Sequence, residues 1–396
     1  MNDRHGNTTG KKRCRILMVD ALVGNDYSIL LCNQLHLMGV DITLATTVDR
    51  EIKPPVAFPV KRWIPSKNPK KARTGKALEY LRYVMRLVLL SVSRQFDVIH
   101  FQFFRFERVE AFLMVLMRIS GVRLIHTAHN VFPHEQRSGD RTIKTMIYRA
   151  SSGIIVHSIT VKNRLCRFFA FAGKKTAVIP HGNFEVDSTV YTISRNTARK
   201  RLNLGDNEHL LLFFGFIRKY KGLDRLLPAF EIAFGQNRML RLLIAGQCQT
   251  RQMENQLNEQ IRAMSSRNGI IYVPGFVTHE KMAEYFTAAD WVMLPYRQID
   301  HSGIIHLAYA YGRAVIVADI KGLADMVKED QTGFIADTEN PETFAQTILR
   351  AASDRRTADQ MGDRGKYWGE MKYNWSHAAK LTRQMYEEVA PKRRPS

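Results

Sequence analysis

The chain reads as an α/β protein with two Rossmann-like domains, and three observations predict this. Short apolar runs recur, each followed by a segment whose apolar residues return at helical spacing, the alternation of a parallel sheet with crossover helices. These units fall into two series, separated by a polar stretch over residues 184–208. The length of 396 residues, 45% of them hydrophobic, is enough to bury two cores. The expected boundaries are a disordered tail at 1–13, a first domain at 14–180, a second at 181–370, and a terminal helix with a basic tail at 371–396.

In the first series, Arg15-Ile16-Leu17-Met18-Val19-Asp20 is the opening strand. Its loop holds Gly24, where the missing Cβ lets a ligand approach the backbone. A helix carrying Ile29, Leu30, Leu35 and Leu37 stops at Gly39, and Val40–Leu44 alternates as strand two. No GxGxxG follows the first strand, which argues against a dinucleotide-dependent enzyme. Further on, Lys61, Arg62, Lys67, Lys70, Lys71, Arg73 and Lys76 precede an apolar stripe of Leu78, Leu81, Val84, Met85, Val88 and Leu89. With Tyr80, Arg82, Tyr83 and Arg86 beside it, the stripe predicts a basic amphipathic helix lying in the headgroup plane of an anionic membrane. Packing of the stripe on its own sheet is the ordinary alternative. Asp97–Gln102 and Ile154–Ser158 are further strands, and Val122–Glu135 is a strand with a polar tip; His129, Asn130 and Ser158 stand toward carboxyl ends, where an open α/β sheet places its chemistry. Ala177–Asn183 leaves the first domain.

In the second series, Leu210–Phe214 is a strand ended by Gly215, and Leu223, Leu226, Leu227 and Phe230 mark the helix after it. Arg218 and Lys221 lie between the two, where fixed cations would stabilise a departing diphosphate. Arg241–Gly246 and Ile270–Val277 are strands separated by a helix. Trp291–Pro295 is another, followed by a polar loop through Asp300 and His301 and a helix opening at Ser302-Gly303-Ile304. Free N–H groups and the positive dipole end of such a helix suit an anion. Val315–Asp319 is the last strand; helices follow at 341–352 and at Trp375–Val389.

The ordered set Phe213–Asp224, Leu243–Gly246, Val273–Val277 and Trp291–Gly312 resembles the C-terminal half of a family 4 glycosyltransferase, a retaining enzyme of the GT-B fold that uses nucleotide-sugars. The resemblance is firm over about residues 178–340 and looser before them. It implies two domains facing a cleft, with the terminal helix returning to the first. It also implies a donor held by Gly182, Asn183, Gly215, Arg218, Lys221, Asp300, His301, Ser302, Gly303 and Ile304, with backbone at Phe276 and Val277 against the base. His129 matches the family histidine that faces the reacting sugar, and Gly24, Asn130 and Ser158 fall on the acceptor side. Two departures stand out. Phe216 occupies the place of the family's usual arginine, and Ile299 and Leu307 align with its pair of glutamates.

Charge adds a partner. The formal net charge is +22, of which residues 1–180 carry 30 Lys+Arg against 12 Asp+Glu, and residues 181–396 carry 29 against 25. A bias confined to one half predicts that this half meets an anionic surface. Cys14, Cys32, Cys166 and Cys248 show no CxxC spacing, so neither a zinc site nor a disulfide framework is expected. No apolar leader and no apolar run of about 18 residues is present, which places the expected protein in the cytoplasm, peripheral on the inner membrane face. The combined expectation is transfer of a hexose from a UDP- or GDP-sugar to a polyprenyl-diphosphate-linked or other saccharide. No cofactor, metal or nucleic acid is expected. The alternative is a non-catalytic polyanion- or nucleic-acid-binding protein.

Overall fold

The structure is a computed structural model, and it describes residues 14–22, 26–52, 55–65, 73–93, 95–132, 138–182, 193–299 and 302–390. The chain divides into two compact units, residues 1–182 with 375–396, and residues 183–374.

The first unit holds seven strands, β1 (Arg15–Asp20), β2 (Asp41–Thr47), β3 (Val60–Ile64), β4 (Val98–Phe103), β5 (Arg123–Thr127), β6 (Gly153–Val156) and β7 (Thr176–Val178). Its helices are α1 (Tyr27–Leu37), α2 (Arg73–Ser93), α3 (Glu107–Ile119), α4 (Asp140–Ala150) and α5 (Ile159–Phe168). Every pairing is parallel, in the order β3-β2-β1-β4-β5-β6-β7. The direction of winding reverses between β1 and β4. Strands buried on both faces explain why their sequences are continuous apolar runs rather than alternating ones. The edge strand β3, which takes in Lys61, Arg62 and Trp63, is not anticipated by the sequence reading because its charged residues hide the pattern.

The second unit has six parallel strands, β8 (His209–Phe214), β9 (Leu240–Gly246), β10 (Ile270–Pro274), β11 (Trp291–Leu294), β12 (Ala314–Ala318) and β13 (Gly333–Ala336). Their order is β10-β9-β8-β11-β12-β13, reversing between β8 and β11. Its helices are α6 (Arg195–Arg201), α7 (Leu223–Gln236), α8 (Arg251–Ala263), α9 (His279–Ala288), α10 (Gly303–Ala310), α11 (Lys321–Ala324), α12 (Pro341–Ala351) and α13 (Arg355–Lys372). The polar stretch read as a linker contains α6, capped by the Ser194 hydroxyl and tied down by Arg199, which donates to the Gly205 carbonyl at 2.8 Å.

The last helix, α14 (Trp375–Val389), belongs to the first unit and lies on α1. Trp375 meets Tyr27 edge-on at 5.2 Å between ring centres, and the Tyr386 hydroxyl sits 2.8 Å from His100 Nδ1. Gly182 is required here, since a Cβ would come within 2.0 Å of the Trp375 ring. No helix among the described residues is long and apolar enough to cross a membrane.

Candidate functional site

In doubly wound sheets ligands gather at the carboxyl ends of the strands where the winding reverses. In the second unit that point lies between β8 and β11, and Gly215, Lys221, Ser302 and Ile304 stand there. Gly215 leaves β8 with φ of 96°, in the left-handed region that suits glycine. An added Cβ would sit 3.0 Å from Lys221 Nζ and 3.7 Å from the Ile304 side chain, so these three positions share one spot.

Lys221 ends a single 3₁₀ turn, Lys219–Lys221, that connects β8 to α7. The turn is fixed by Gly222 at φ 70°, whose Cα is pressed against the Pro295 carbonyl, and by the Arg297 N–H donating to the Tyr220 carbonyl at 2.7 Å. The loop after β11 thus holds the turn that carries the lysine. Lys221 is only 7% exposed; its ammonium stands 5.5 Å from the centre of the Tyr296 ring and reaches the Phe214 carbonyl at 3.4 Å. Among the described residues it has no carboxylate partner. Burial, with Arg218 nearby adding to the effect, pushes its pKa down to about 7.

Ser302 is buried and precedes α10. Its hydroxyl does not cap the helix as the sequence suggests; it bonds the Tyr296 hydroxyl instead. The first amides of α10 therefore receive no side-chain cap from Ser302. Tyr296, which sequence reasoning passed over, touches both Lys221 and Ser302. Its place directly after the strand-ending Pro295 was the available signal.

The glycines continue the site along the strand ends. Gly246 approaches the Gly215 carbonyl so closely that a Cβ would lie 2.0 Å from it, and the Gly275 N–H donates to the Gly246 carbonyl at 3.3 Å. Beyond Gly275 the Phe276 side chain is 74% exposed, while Val277 packs against the core. Arg218 is half-buried with its guanidinium 5.8 Å from the Phe216 ring centre. Leu307 is buried and Ile299 packs against the same core. Both replacements of the family's glutamates are therefore apolar packing residues. Asn183, Asp300 and His301 lie outside the described residues, as does Gly24 in the first unit.

In the first unit the reversal point is ringed by aromatic and imidazole groups. His157 Nδ1–H donates to the Ile179 carbonyl at 3.0 Å, since a carbonyl can only accept. Burial pulls the His157 pKa down to about 4, so the ring is neutral and its Nε2 carries a lone pair. That nitrogen is 3.1 Å from His129 Nδ1 and accepts when the His129 proton is there. His129 Nε2 is 3.0 Å from Gln102 Oε1, which can only accept, so the one proton of the neutral ring serves either His157 or Gln102. Burial and the neighbouring His157 and His181 hold the His129 pKa well below the usual imidazole range. Its ring stacks on Phe103 at 4.2 Å, with Tyr27 edge-on at 5.0 Å.

The His129 ring is thus held between two acceptors, His157 Nε2 and Gln102 Oε1. The Ser158 hydroxyl caps α5, accepting from the Val161 N–H at 3.2 Å, and Asn130 is half-buried beside His129. Tyr27, Gln102 and His157 complete this cluster from three separate segments, which no local sequence pattern joins. Among the described residues no group of three or more His, Cys, Asp or Glu is arranged to hold a metal.

Two family models match the chain. One, described as Glycosyltransferase Family 4, covers residues 26–183, and the other, Glycosyl transferases group 1, covers residues 194–368. An uncharacterized glycosyltransferase from Methanocaldococcus jannaschii is 26% identical over 309 residues, covering 76% of this chain and 77% of that protein. A D-inositol 3-phosphate glycosyltransferase from Nocardioides is 24% identical over 337 residues, covering 80% and 72%. Among solved structures, HepE from Anabaena in complex with UDP-glucose superimposes with a TM-score of 0.75 at 14% identity, over 95% of this chain and all of that one. The alternative of a non-catalytic polyanion-binding protein falls with these matches. The chain is a glycosyltransferase, an enzyme of the GT-B fold.

Proposed function

We propose that the enzyme moves a hexose from a UDP- or GDP-sugar, with retention, to a lipid-linked saccharide at an anionic membrane surface, as in bacterial exopolysaccharide or lipopolysaccharide assembly. The buried Lys221 ammonium, without a carboxylate partner among the described residues at the reversal point of the second sheet, carries the donor half of this reading. Lys221, Arg218 and the amides opening α10 receive the diphosphate. As the bond from the anomeric carbon to the phosphate oxygen breaks, both electrons pass to that oxygen, where Lys221 offsets the growing charge. The acceptor oxygen bonds to the same face of the anomeric carbon, and its proton leaves with the phosphate. His129 faces the reacting sugar from the acceptor side.

The acceptor half rests on α2, where Leu78, Leu81, Met85, Leu89 and Val92 are exposed along one stripe in the strongly basic half of the chain. Apolar side chains this exposed suit the headgroup region of a bilayer. The D-inositol 3-phosphate glycosyltransferases among the relatives favour a small phosphorylated acceptor instead.

Thermal-shift measurements with UDP, GDP and their sugars test the donor, because a ligand of the native state raises the apparent stability by mass action. A shift with one nucleotide and turnover of its sugar onto a detergent-dispersed prenyl-linked saccharide is expected. Turnover onto inositol phosphate alone would overturn the lipid acceptor. Separately, Leu81→Gln with Met85→Gln is expected to weaken pelleting with anionic vesicles by roughly a hundredfold, at about 1.5 kcal/mol for each of the two exposed leucine-sized groups removed from lipid contact; undiminished pelleting would remove α2 from the membrane contact.

A further inference from the structure

Where α2 crosses the edge strand β3, the first unit has an open pocket of about 560 Å³. Its rim carries three cations, Lys61 and Arg62 from β3 and Arg86 from α2, and its walls include Trp63, Leu89 and Phe96. Tyr83 and Leu87, on the inner side of α2, are fully buried and hold the helix to the sheet, with the Tyr83 ring 5.6 Å from that of Trp63. The walls are therefore set by core packing.

The three cations have no carboxylate partner among the described residues. Arg62 Nε donates to the Arg50 carbonyl at 3.2 Å, and the Lys61 ammonium lies 5.9 Å from the Phe96 ring centre. Three uncompensated positive charges around an aromatic and aliphatic pocket fit a ligand with an anionic head and an apolar body. Leu89 lines this pocket and also belongs to the exposed stripe of α2, being 60% exposed itself. The pocket opens onto the same apolar track as Leu81, Met85 and Val92. The position is remote from His129, because β3 is the sheet edge and β5 is four strands away. At about 4.8 Å between neighbouring strands this separation is roughly 19 Å across the sheet.

We propose that this pocket is a discrete site for the headgroup of an anionic phospholipid, which fastens α2 to the leaflet with its chains along Leu81, Met85 and Leu89. The phosphate is held by Lys61, Arg62 and Arg86, and Trp63 stands at the boundary between headgroup and chain. This inference rests on the reading that the enzyme works at a membrane, and adds that attachment is local and stoichiometric rather than a diffuse attraction of basic surface.

The test uses the full chain and dihexanoyl phosphatidylglycerol below its micelle threshold, followed by tryptophan emission. Trp63→Phe isolates the contribution of that ring from the other three tryptophans. A saturable change in emission is expected that is lost in Trp63→Phe, weakens about tenfold in Lys61→Gln/Arg86→Gln, and is absent with dihexanoyl phosphatidylcholine. An equal response to inorganic phosphate would show a general anion pocket and overturn the lipid assignment, as would no response to the phosphatidylglycerol.

Vesicles of phosphatidylglycerol and phosphatidylcholine supply the second readout. Lys61→Gln/Arg86→Gln should pellet about tenfold less, whereas Arg251→Gln/Arg262→Gln, which removes the same charge from exposed α8 positions of the other unit, should change by less than twofold. Equal losses in the two variants would mean diffuse attraction and no site. Turnover on a detergent-dispersed acceptor separates the two readings. If turnover holds while pelleting ignores the pocket, this inference alone fails; if the lipid binds but the wild-type enzyme transfers no sugar, the functional reading alone fails.

Discussion

On α2 of the first unit Leu78, Leu81, Met85, Leu89 and Val92 face outward, and on α3 Phe112, Leu116 and Ile119 do the same, Ile119 being 77% exposed. In the second unit α7 buries Leu223, Leu226, Leu227, Phe230 and Phe234, and α12 buries Phe344 and Ile348. Both units wind parallel strands outward from a central reversal point, and both sheets are covered by apolar layers on two faces. The difference lies outside those layers. One unit leaves an apolar stripe exposed on α2 and α3 of its strongly basic half, while the other buries the apolar faces of α7 and α12 and holds Lys221 inside, without a carboxylate partner among the described residues. Under the proposed function, adhesion to a surface and grip on a small anion fall to different copies of one topology.

Buried charge is the part of the second unit most easily broken. The Asp290 carboxylate is fully buried; it accepts from the Leu210 N–H at 2.6 Å and from Arg355 Nε at 3.1 Å, and it pairs with Arg195 and Arg199. It ties α6 and α13 to the entry of β8. Asp290→Ala is expected to lower the unfolding free energy by about 3 kcal/mol, the low end for a broken buried pair because Arg195 and Arg355 are partly solvated. A urea midpoint equal to that of the wild type would show that the arginines hold these helices without it.

Lys221 sharpens the comparison at the site itself. Lys221→Ala should slow turnover by a factor of ~100 or more if the ammonium stabilises the leaving diphosphate, and wild-type rates in that variant would remove it from the mechanism. Its pH dependence gives a finer test. With a folded pKa of about 7 and an ordinary lysine value in the unfolded chain, the unfolded state binds the extra proton between these values. This residue therefore makes stability rise as pH increases above about 7.

Diphosphate binding runs the other way, because the anion favours the protonated ammonium. UDP affinity measured by calorimetry should fall above pH 7, by up to about tenfold per pH unit, and Lys221→Arg should flatten the profile because arginine stays charged. A wild-type profile as flat as that of the arginine variant would refute the coupling.

Much of this was legible in the sequence where function sits on one continuous segment. Gly215, Lys221 and Ser302 follow strands whose apolar runs are unambiguous, and the order of those strands places them at one point. What escaped was whatever depends on contacts between distant segments. Tyr296 joins Lys221 to Ser302 only in three dimensions. The basic residues of β3 read as a charge run, and their pairing with β2 turns them into the rim of a pocket. Helix α13 carries Gly362, Gly365 and Gly369 in its buried face, which weakens its helical pattern; Gly362 is there because a Cβ would lie 2.1 Å from the Gly312 carbonyl. Ile299 and Leu307 read as losses from a polar site, and the structure accounts for them as packing.

The histidine relay of the first unit is the hardest of these to see from sequence, and the smallest effect is expected there. His157 touches no reacting atom in this scheme; it positions His129 by competing with Gln102 Oε1 for its single proton. His157→Phe removes the acceptor for His129 Nδ1–H, which leaves the proton on Nε2 toward Gln102, and kcat should fall on the order of tenfold through misplacement of the sugar. His157→Gln keeps both bonds, its carbonyl oxygen accepting from His129 and its amide donating to Ile179, and should restore most of the rate. Nitrogen-15 spectra distinguish positioning from mere packing: the Nδ1–H tautomer of His129 should be populated in the wild type and in His157→Gln, and give way to Nε2–H in His157→Phe. If the phenylalanine variant kept the tautomer ratio of the wild type, His157 would be a core residue with no bearing on the chemistry.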